Sequence, residues 1–129
     1  MRYDLVTVGR VNMDLFAQDV GAEFADVTGF DAAVGGSPTN VAIGTSRLGL
    51  RSVALTAVGD GVVGDFVIRH LRDEGVVTDF IPRKPGKATS LALVGVQPHD
   101  RFPHRWSVLE WIDGTDAWTA RHDLDRRPA

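Results

Sequence analysis

The chain contains no cysteine, which excludes disulfide scaffolds, thiol catalysis and cysteine-ligated zinc sites. It has no apolar run near the roughly 20 residues that a membrane-spanning helix needs, and its first residues lack the apolar stretch of a signal peptide. The formal net charge of −3 provides no basic surface for nucleic acid. These absences favour a cytoplasmic protein that binds neither membranes nor nucleic acid.

The composition is otherwise that of an ordinary globular protein, with 43% hydrophobic and 24% charged residues. Its 129 residues allow one domain or a piece of a larger one. The distribution is uneven, because 13 of the 14 glycines lie at or before Gly95, whereas all three tryptophans follow Pro103. This change of character indicates that the last part of the chain does not continue the same domain.

Strand and helix patterns alternate along the first 96 residues. Buried strands are predicted at 3–9, 52–59, 76–81 and 89–96, and two shorter strands at 15–17 and 30–34. Helices are predicted at roughly 38–48 and 63–74, and no long helix fits residues 15–34. The alternation predicts an α/β fold of βαβ units with a mainly parallel sheet.

Local signals define both predicted helices. Ser37 is expected to be the N-cap of the first, Pro38 its first helical residue and Gly49 the residue past its end. Its glycine, Gly44, is expected to let another backbone approach closely. The buried face of this helix is expected to comprise Val41, Ala42, Thr45 and Leu48. The inner side of the second is expected to comprise Val63, Phe66, Val67, His70 and Leu71, with Gly75 after its end.

Polar groups suited to a polyol lie where ligands bind in parallel sheets, beyond the carboxyl ends of the strands. Asn12 and Asp14 follow the first predicted strand, and Asn40 lies in the first turn of the first helix. A carboxylate accepts hydrogen bonds from hydroxyls, whereas an amide both donates and accepts them. The pair Gly35-Gly36 allows close backbone approach to a ligand. A strand-end cap for Asp14 and an ordinary turn at the glycines remain alternatives at this point.

These residues are part of a longer resemblance. Residues 35–42, Gly-Gly-Ser-Pro-Thr-Asn-Val-Ala, with Arg-Leu-Gly at 47–49, resemble the first signature of the ribokinase-like (pfkB-type) carbohydrate kinases. Residues 8–14 resemble that family's first strand and its sugar-binding Asp, residues 56–64 its next motif, and residues 89–93 a lid strand. Within the family, Gly-Ser-Pro-Thr-Asn and residues 98–103 are most similar to the kinases of inositol catabolism. Fructokinases and 2-keto-3-deoxygluconate kinases are the alternatives.

The resemblance implies ATP-dependent phosphorylation of a sugar hydroxyl. Asp14 and Asn40 would hold sugar hydroxyls, Gly35 and Gly36 would offer backbone contacts, and Ser37 would border the substrate. Residues 15–34 and 89–96 would form a small β lid that excludes water from phosphoryl transfer. Lid strands often pair between subunits in such enzymes, so a homodimer is a further expectation.

The sequence departs from the family pattern at two points. The acidic residue expected in the second motif is Gly61 here, although Asp60 lies beside it. The family's second signature, a Gly-Ala-Gly-Asp-type loop that carries the catalytic base, is absent from the sequence. No catalytic residue is therefore assigned, the site for ATP and Mg²⁺ is expected to be missing, and the chain is expected to be inactive alone.

Residues 1–103 are interpreted as the N-terminal part of a family domain, and residues 104–129 as a tail outside it. A frameshift near codon 103 is the hypothesis for the tail, and a tryptophan-mediated partner contact is the alternative. Two other functions stay open. One is a sugar-binding or regulatory module that pairs with a separately encoded second half, and the other is a pseudogene product of poor solubility.

The remaining polar side chains are interpreted as surface groups. Asp60 is expected in a solvated turn. The basic residues of the predicted loop at 82–87 are expected to be solvated rather than bound to an acidic ligand. No metal-binding spacing links the four histidines, His70, His99, His104 and His122.

Overall fold

The computed structural model of the chain describes residues 2–98 and 105–106. This part contains two α-helices, α1 (Ser37–Arg47) and α2 (Val62–Asp73), neither of which is long and apolar enough to cross a membrane. A 3₁₀ turn occupies Phe24–Asp26. The strands are β1 (Leu5–Val8), β2 (Asn12–Ala17), β3 (Phe30–Gly35), β4 (Ser52–Leu55), β5 (Val58–Gly59), β6 (Arg83–Lys84), β7 (Leu91–Val94) and β8 (Arg105–Trp106).

The strands form three small sheets among the described residues. β1 pairs with β4 in parallel, from Leu5 opposite Ser52 to Val8 opposite Leu55, and β5 pairs with β6 in parallel. The third sheet has the order β3-β2-β7-β8 and is called the lid sheet below. In it β2 runs antiparallel to β3 and parallel to β7. The predicted α/β fold with parallel pairing is confirmed, and so is the absence of a long helix from residues 15–34.

One hydrophobic core lies between the two helices and one face of the β1–β4 sheet. α1 packs on both of these strands, and its Thr45 hydroxyl lies 2.7 Å from that of Ser52. Ala54 contributes from β4, while α2 contributes Val67 and Leu71, both fully buried. The core therefore holds α1 in place, and α1 begins directly after β3 of the lid sheet.

The strand predictions differ from the structure in several details, and β2 begins at Asn12 rather than at residue 15. β1 is not buried on both faces, since Val6 and Val8 are 50% and 71% exposed. The predicted strand 52–59 divides into β4 and β5, which belong to different sheets. The predicted strand 76–81 is reduced to a single bridge from Val77 to Val53. Apolar runs indicate strands without showing which neighbours are available to cover or extend them.

The buried face of α1 also differs from the predicted one. Ala42 is buried as expected, but its buried companions are Thr39 and Ile43. Val41 and Leu48 are 50% and 82% exposed. Apolar residues occur around much of this short helix, so periodicity alone does not select the face that meets the sheet. The expected close approach at Gly44 is wrong, because no described atom lies within 4 Å of a Cβ built there.

Both helices begin and end within one residue of their predicted positions. Gly36 rather than Ser37 is the N-cap of α1, so Ser37 is its first helical residue. Gly49 and Gly75 follow the two helices with φ of +89° and +75°, as a C-terminal glycine requires.

The inner side of α2 is rotated slightly from the prediction. Val67 and Leu71 are buried as expected, and Gly64 and Ile68 are buried beside them. Val63, Phe66 and His70 are only half-buried, and the His70 ring stacks on Phe66 with the centroids 6.4 Å apart. Gly64 packs against the Gly59 carbonyl, with which a Cβ at this position would collide, and such a Cβ would also stand 3.2 Å from the Thr89 hydroxyl.

Leu71→Ala is expected to lower the free energy of unfolding by about 2–5 kcal/mol, because it leaves a cavity in the core. Leu48→Ala, the matched control, is expected to change it by less than about 0.5 kcal/mol, since Leu48 is largely solvated. Urea denaturation followed by circular dichroism measures both. Equal losses in the two variants would contradict the core described above.

Arg47 and Glu74 join the ends of α1 and α2. The guanidinium donates two bonds to the carboxylate, at 2.6 and 2.5 Å, and the Ser46 hydroxyl donates to the Glu74 carbonyl at 2.8 Å. The bond from Arg47 lowers the pKa of Glu74 below its ordinary value of 4.5. The stabilisation is therefore present above the ordinary pKa and is lost as the pH falls through the lowered one.

A carboxyl NMR titration is expected to place the Glu74 midpoint below 4.5 in the parent chain. Arg47→Gln is expected to raise that midpoint, because the charged donor is gone. Asp19 serves as an internal control, since the hydrogen bonds from Thr28 that lower its pKa do not involve Arg47. An unchanged Glu74 midpoint would show that the ion pair does not form in solution.

Candidate functional site

Strand β2 carries the polar side chains of the candidate site. The main chain pairs Asn12 with Gly35 and Asp14 with Ala33 on β3. Asn12 and Asp14 are two residues apart in a strand, so their side chains project from the same face of the lid sheet. The Met13 N–H, between them, donates to the Ser90 carbonyl at 3.0 Å. Strands on both sides therefore hold this segment in register.

The Asn12 side chain orients the carboxylate of Asp14. Its Nδ2 donates a hydrogen bond to Asp14 Oδ1. Asn12 is only 5% exposed, whereas Asp14 is half-buried. A buried amide that donates to a carboxylate fixes the direction of that group. The carboxylate oxygens are acceptors for hydroxyl groups.

Gly35 makes room for this carboxylate. A Cβ built at Gly35 would lie 2.7 Å from Asp14 Cγ and 3.0 Å from Asn12 Nδ2. Any other residue at this position would therefore displace the two side chains. The main chain of Gly35 lies directly against the Asp14 carboxylate. The sequence predicted a close backbone approach at this glycine pair.

Gly36 links the site to helix α1. Its φ of +107° is a conformation that other residues rarely adopt, and a Cβ there would lie 2.6 Å from the Arg10 carbonyl. The Gly36 carbonyl accepts the Asn40 N–H at 2.9 Å. The close packing of Gly36 on residues 10 and 11 fixes the start of α1 beside the first residues of β2.

The predicted site residues fall into two groups. Asp14, Gly35 and Gly36 lie together, where β2, the end of β3 and the start of α1 meet. Ser37 and Asn40 are both exposed on the first turn of α1, which begins immediately after Gly36. The first turn of α1 therefore places these two side chains next to the site in the chain. Their contact with a substrate stays a prediction.

Two small residues flank Asp14 across the lid sheet. Its register partners are Ala33 on β3 and Ala92 on β7. Directly opposite side chains in a sheet are near neighbours, so alanines on both sides leave space around the carboxylate. On this face of the lid sheet the Asp14 carboxylate therefore has small residues directly opposite it on both neighbouring strands.

The sequence placed Asn12 among the polar groups of the candidate site but gave it no separate role toward a substrate. It put Asn12 and Asp14 just past the end of the first strand, whereas β2 begins at Asn12. The available signal was the spacing of two, which places two polar side chains on one face once the segment is known to be a strand. Only the pairing with β3 and β7 shows that it is.

The motif at residues 56–64 has a structural role in the described part of the chain. The Gly59 N–H donates to the buried Thr89 hydroxyl at 2.9 Å, just before β7. The Asp60 carboxylate accepts the Gly86 N–H at 2.9 Å, so the turn expected at Asp60 also holds the loop opposite. The motif thus connects the start of α2 to the strand that enters the lid sheet.

The described basic residues of the loop at 82–87 are all exposed. Arg83 pairs with Asp65 at 2.7 Å, with both side chains substantially exposed, as expected of a solvated loop. His99, His104 and His122 lie outside the described residues.

The residues present do not fit a Mg²⁺ or nucleotide site. Within residues 2–98 and 105–106, no three His, Asp or Glu side chains lie close enough together to hold a metal ion. The sequence also lacks the glycine loop and acid of the family's second signature. We therefore assign no step of phosphoryl transfer to the residues of this chain.

Comparison with known proteins identifies relatives of this arrangement. The chain is 36% identical over 124 residues to a 5-dehydro-2-deoxygluconokinase of Geobacillus kaustophilus, a match that covers 95% of this chain and 36% of the relative. A second 5-dehydro-2-deoxygluconokinase, from Bacillus anthracis, is 38% identical over 112 residues and 86% of this chain, with 32% of the relative covered. The chain therefore spans about a third of the length of the curated relatives it matches.

A solved structure shares the fold. A sugar kinase from Pyrococcus horikoshii, crystallised in complex with ATP, superposes with a TM-score of 0.73 at 30% identity, covering 83% of this chain and 35% of that one.

The family model for pfkB family carbohydrate kinases matches residues 2–103. Its end coincides with the predicted boundary at 103, whereas the alignment with the Geobacillus kinase is longer. The boundary itself stays a prediction. The match includes β1 to β7, both helices and the polar cluster at Asp14. The chain therefore belongs to the pfkB family of carbohydrate kinases.

Proposed function

We propose that this chain supplies the sugar-binding part of a carbohydrate kinase. The observation that carries the proposal is the contact between the Asp14 carboxylate and the Gly35 main chain, with Asn12 orienting the acid. An oriented carboxylate beside exposed backbone and small side chains suits a ligand with adjacent hydroxyls. Ser37 and Asn40, on the first turn of α1, would supply further contacts.

The proposed substrate is 5-dehydro-2-deoxygluconate, on which the named curated relatives act. Fructose and 2-dehydro-3-deoxygluconate are the alternatives, since solved kinases similar in structure carry those names at lower identity. ATP would be the phosphoryl donor, as its presence in the Pyrococcus complex supports. We place the protein in the cytoplasm, with residues 1–103 as the family part and pairing of lid sheets as the route to a homodimer.

The lid sheet would close over the bound sugar. It is connected to the helices through Gly36 and through the hydrogen bond between Gly59 and Thr89. Movement of the sheet about these connections would exclude water from the sugar, and the buried contact of Val34 with the core would shift with it.

A sugar-binding module without catalysis is the second candidate. The absence of a metal-binding group from the described residues, beside an intact polar cluster at Asp14, favours it. The two candidates agree on sugar binding and differ only in whether the phosphoryl group is transferred.

Asp14→Asn is expected to weaken sugar binding about 10–100-fold, because a hydrogen bond to a charged group contributes roughly 1.5–3 kcal/mol. Isothermal titration calorimetry with 5-dehydro-2-deoxygluconate measures the change. Fructose and 2-dehydro-3-deoxygluconate, titrated in parallel, rank the substrate classes.

Asp26→Asn is the matched control, since Asp26 is an exposed acid in the 3₁₀ turn between the strands β2 and β3. It removes the same charge without touching the Asp14 cluster, and binding should stay within twofold. Gly35→Ala should weaken binding as Asp14→Asn does, because its methyl group displaces the carboxylate. Parent-like binding by Asp14→Asn would refute the proposed site.

The isolated chain is expected to show no sugar-dependent ATP hydrolysis or phosphorylation above background. The reason is that positioning and charge stabilisation of the phosphoryl group need residues that the chain does not provide. A coupled ADP assay, checked by mass spectrometry of the sugar product, measures turnover. Clear turnover that Asp14→Asn abolishes would place catalysis within these residues and contradict the expectation.

A further inference from the structure

Arg10 lies just before strand β2, two residues ahead of Asn12. Its carbonyl is packed against Gly36, since a Cβ built at that glycine would lie 2.6 Å from the carbonyl oxygen. Val11, the next residue, is 1% exposed, whereas Arg10 itself is exposed. The main chain of Arg10 is therefore held against the glycine side of the candidate site, while its side chain has access to solvent.

The guanidinium of Arg10 has no partner in the part of the chain that the structure describes, where it makes neither a hydrogen bond nor an ion pair. Arg47 and Arg83, by contrast, are each paired with an acid. A guanidinium is always charged, and its fork of donors matches the two oxygens of a carboxylate. Arg10 is therefore available to an anionic group of a ligand.

The opposite direction along β2 carries different side chains. Phe16 is two residues beyond Asp14, so it projects from the same face of the lid sheet, and it is 36% exposed. Its register partner on β3 is Asp31, whose carboxylate accepts a hydrogen bond from the Gln18 amide at 2.7 Å. An acidic ligand group would be repelled by Asp31 and would find no donor on the Phe16 ring. Charge therefore favours an orientation in which the acidic end of a ligand points toward Arg10.

The spacing of Arg10 and Asp14 suits an extended sugar acid. The two residues are four apart, and four residues of chain span at most about 14 Å. The long arginine side chain covers part of this distance. A six-carbon acid whose middle hydroxyls lie at Asp14 covers the rest.

We infer that Arg10 binds the carboxylate of a sugar acid whose hydroxyls are held by Asp14, and that it makes the site selective for acids over neutral sugars. Arg10 acts in this way only at the proposed sugar site, so the inference rests on the proposed function and narrows its ligand class. A guanidinium–carboxylate pair adds two charge-assisted hydrogen bonds that a neutral sugar cannot make. Of the three proposed substrates, fructose lacks a carboxylate and is expected to bind most weakly.

The test compares an acid with its neutral counterpart on the full 129-residue chain. Isothermal titration calorimetry with 5-dehydro-2-deoxygluconate and with its carboxamide measures both affinities. Arg10→Gln is expected to weaken binding of the acid about 10–100-fold, the effect of losing hydrogen bonds between charged groups, and to leave binding of the carboxamide within twofold. Arg10→Lys is expected to lose less affinity for the acid than Arg10→Gln, because lysine keeps the charge without the fork of donors.

Arg69→Gln is the matched control, since Arg69 is exposed on α2 and its loss removes the same charge elsewhere. Both affinities should stay within twofold in this variant. Circular dichroism and urea midpoints of Arg10→Gln and Arg69→Gln should match those of the parent, because both side chains are solvated. Added salt should weaken binding of the acid more in the parent than in Arg10→Gln, because it screens the charge pair.

Equal loss of acid and carboxamide binding in Arg10→Gln would overturn the inference, since Arg10 would then support the site without contacting the carboxylate. Parent-like binding of the acid by Arg10→Gln would also overturn it, and loss of inorganic phosphate binding in that variant would then assign the guanidinium to a phosphoryl group. Asp14→Asn should weaken the acid and the carboxamide alike. Failure of that result refutes the proposed sugar site, whereas failure of the Arg10 result alone leaves the site standing.

Discussion

The contact of the Asp14 carboxylate with the Gly35 main chain is the constraint on which the rest of the site depends. It requires β2 and β3 to pair in one register, since a shift by one residue would send Asp14 to the opposite face of the lid sheet. It requires glycine at position 35, because a Cβ would collide with the acid. It also sets where α1 begins, since Gly36 follows directly as the N-cap.

The lid sheet is connected to the helical core by backbone contacts and also by Val34 of β3, which is buried in the same apolar cluster as Ala42 and Leu71. Gly36 packs on the Arg10 carbonyl on one side, and Gly59 donates to Thr89 on the other. Glycines allow such close approach and tolerate rotation about it. This arrangement explains why glycines are concentrated in this part of the sequence, where two sheets must meet while leaving room for a ligand between them.

The site could be predicted from the sequence more fully than the packing could. Asp14 and Gly35 were both identified from residue types and order, and the structure brings them into contact. Asn12 was placed in the same polar group, but its role in orienting Asp14 was not predicted, because the spacing of two puts both side chains on one face only once the segment is known to be a strand. The buried face of α1 was wrong at Leu48, since a short helix with apolar residues on several sides does not define its own packing partner.

By itself, the sequence determined the family, the alternation of strands and helices, and the polar and glycine residues of the site. These follow from local chemistry, because turn glycines, helix ends and apolar runs act over a few residues. Only the tertiary structure decided that Asn12 orients Asp14 and that Thr39 and Ile43, rather than Val41 and Leu48, are buried with Ala42 on α1. Those properties arise from contacts between residues far apart in the chain, and from which neighbours a strand has.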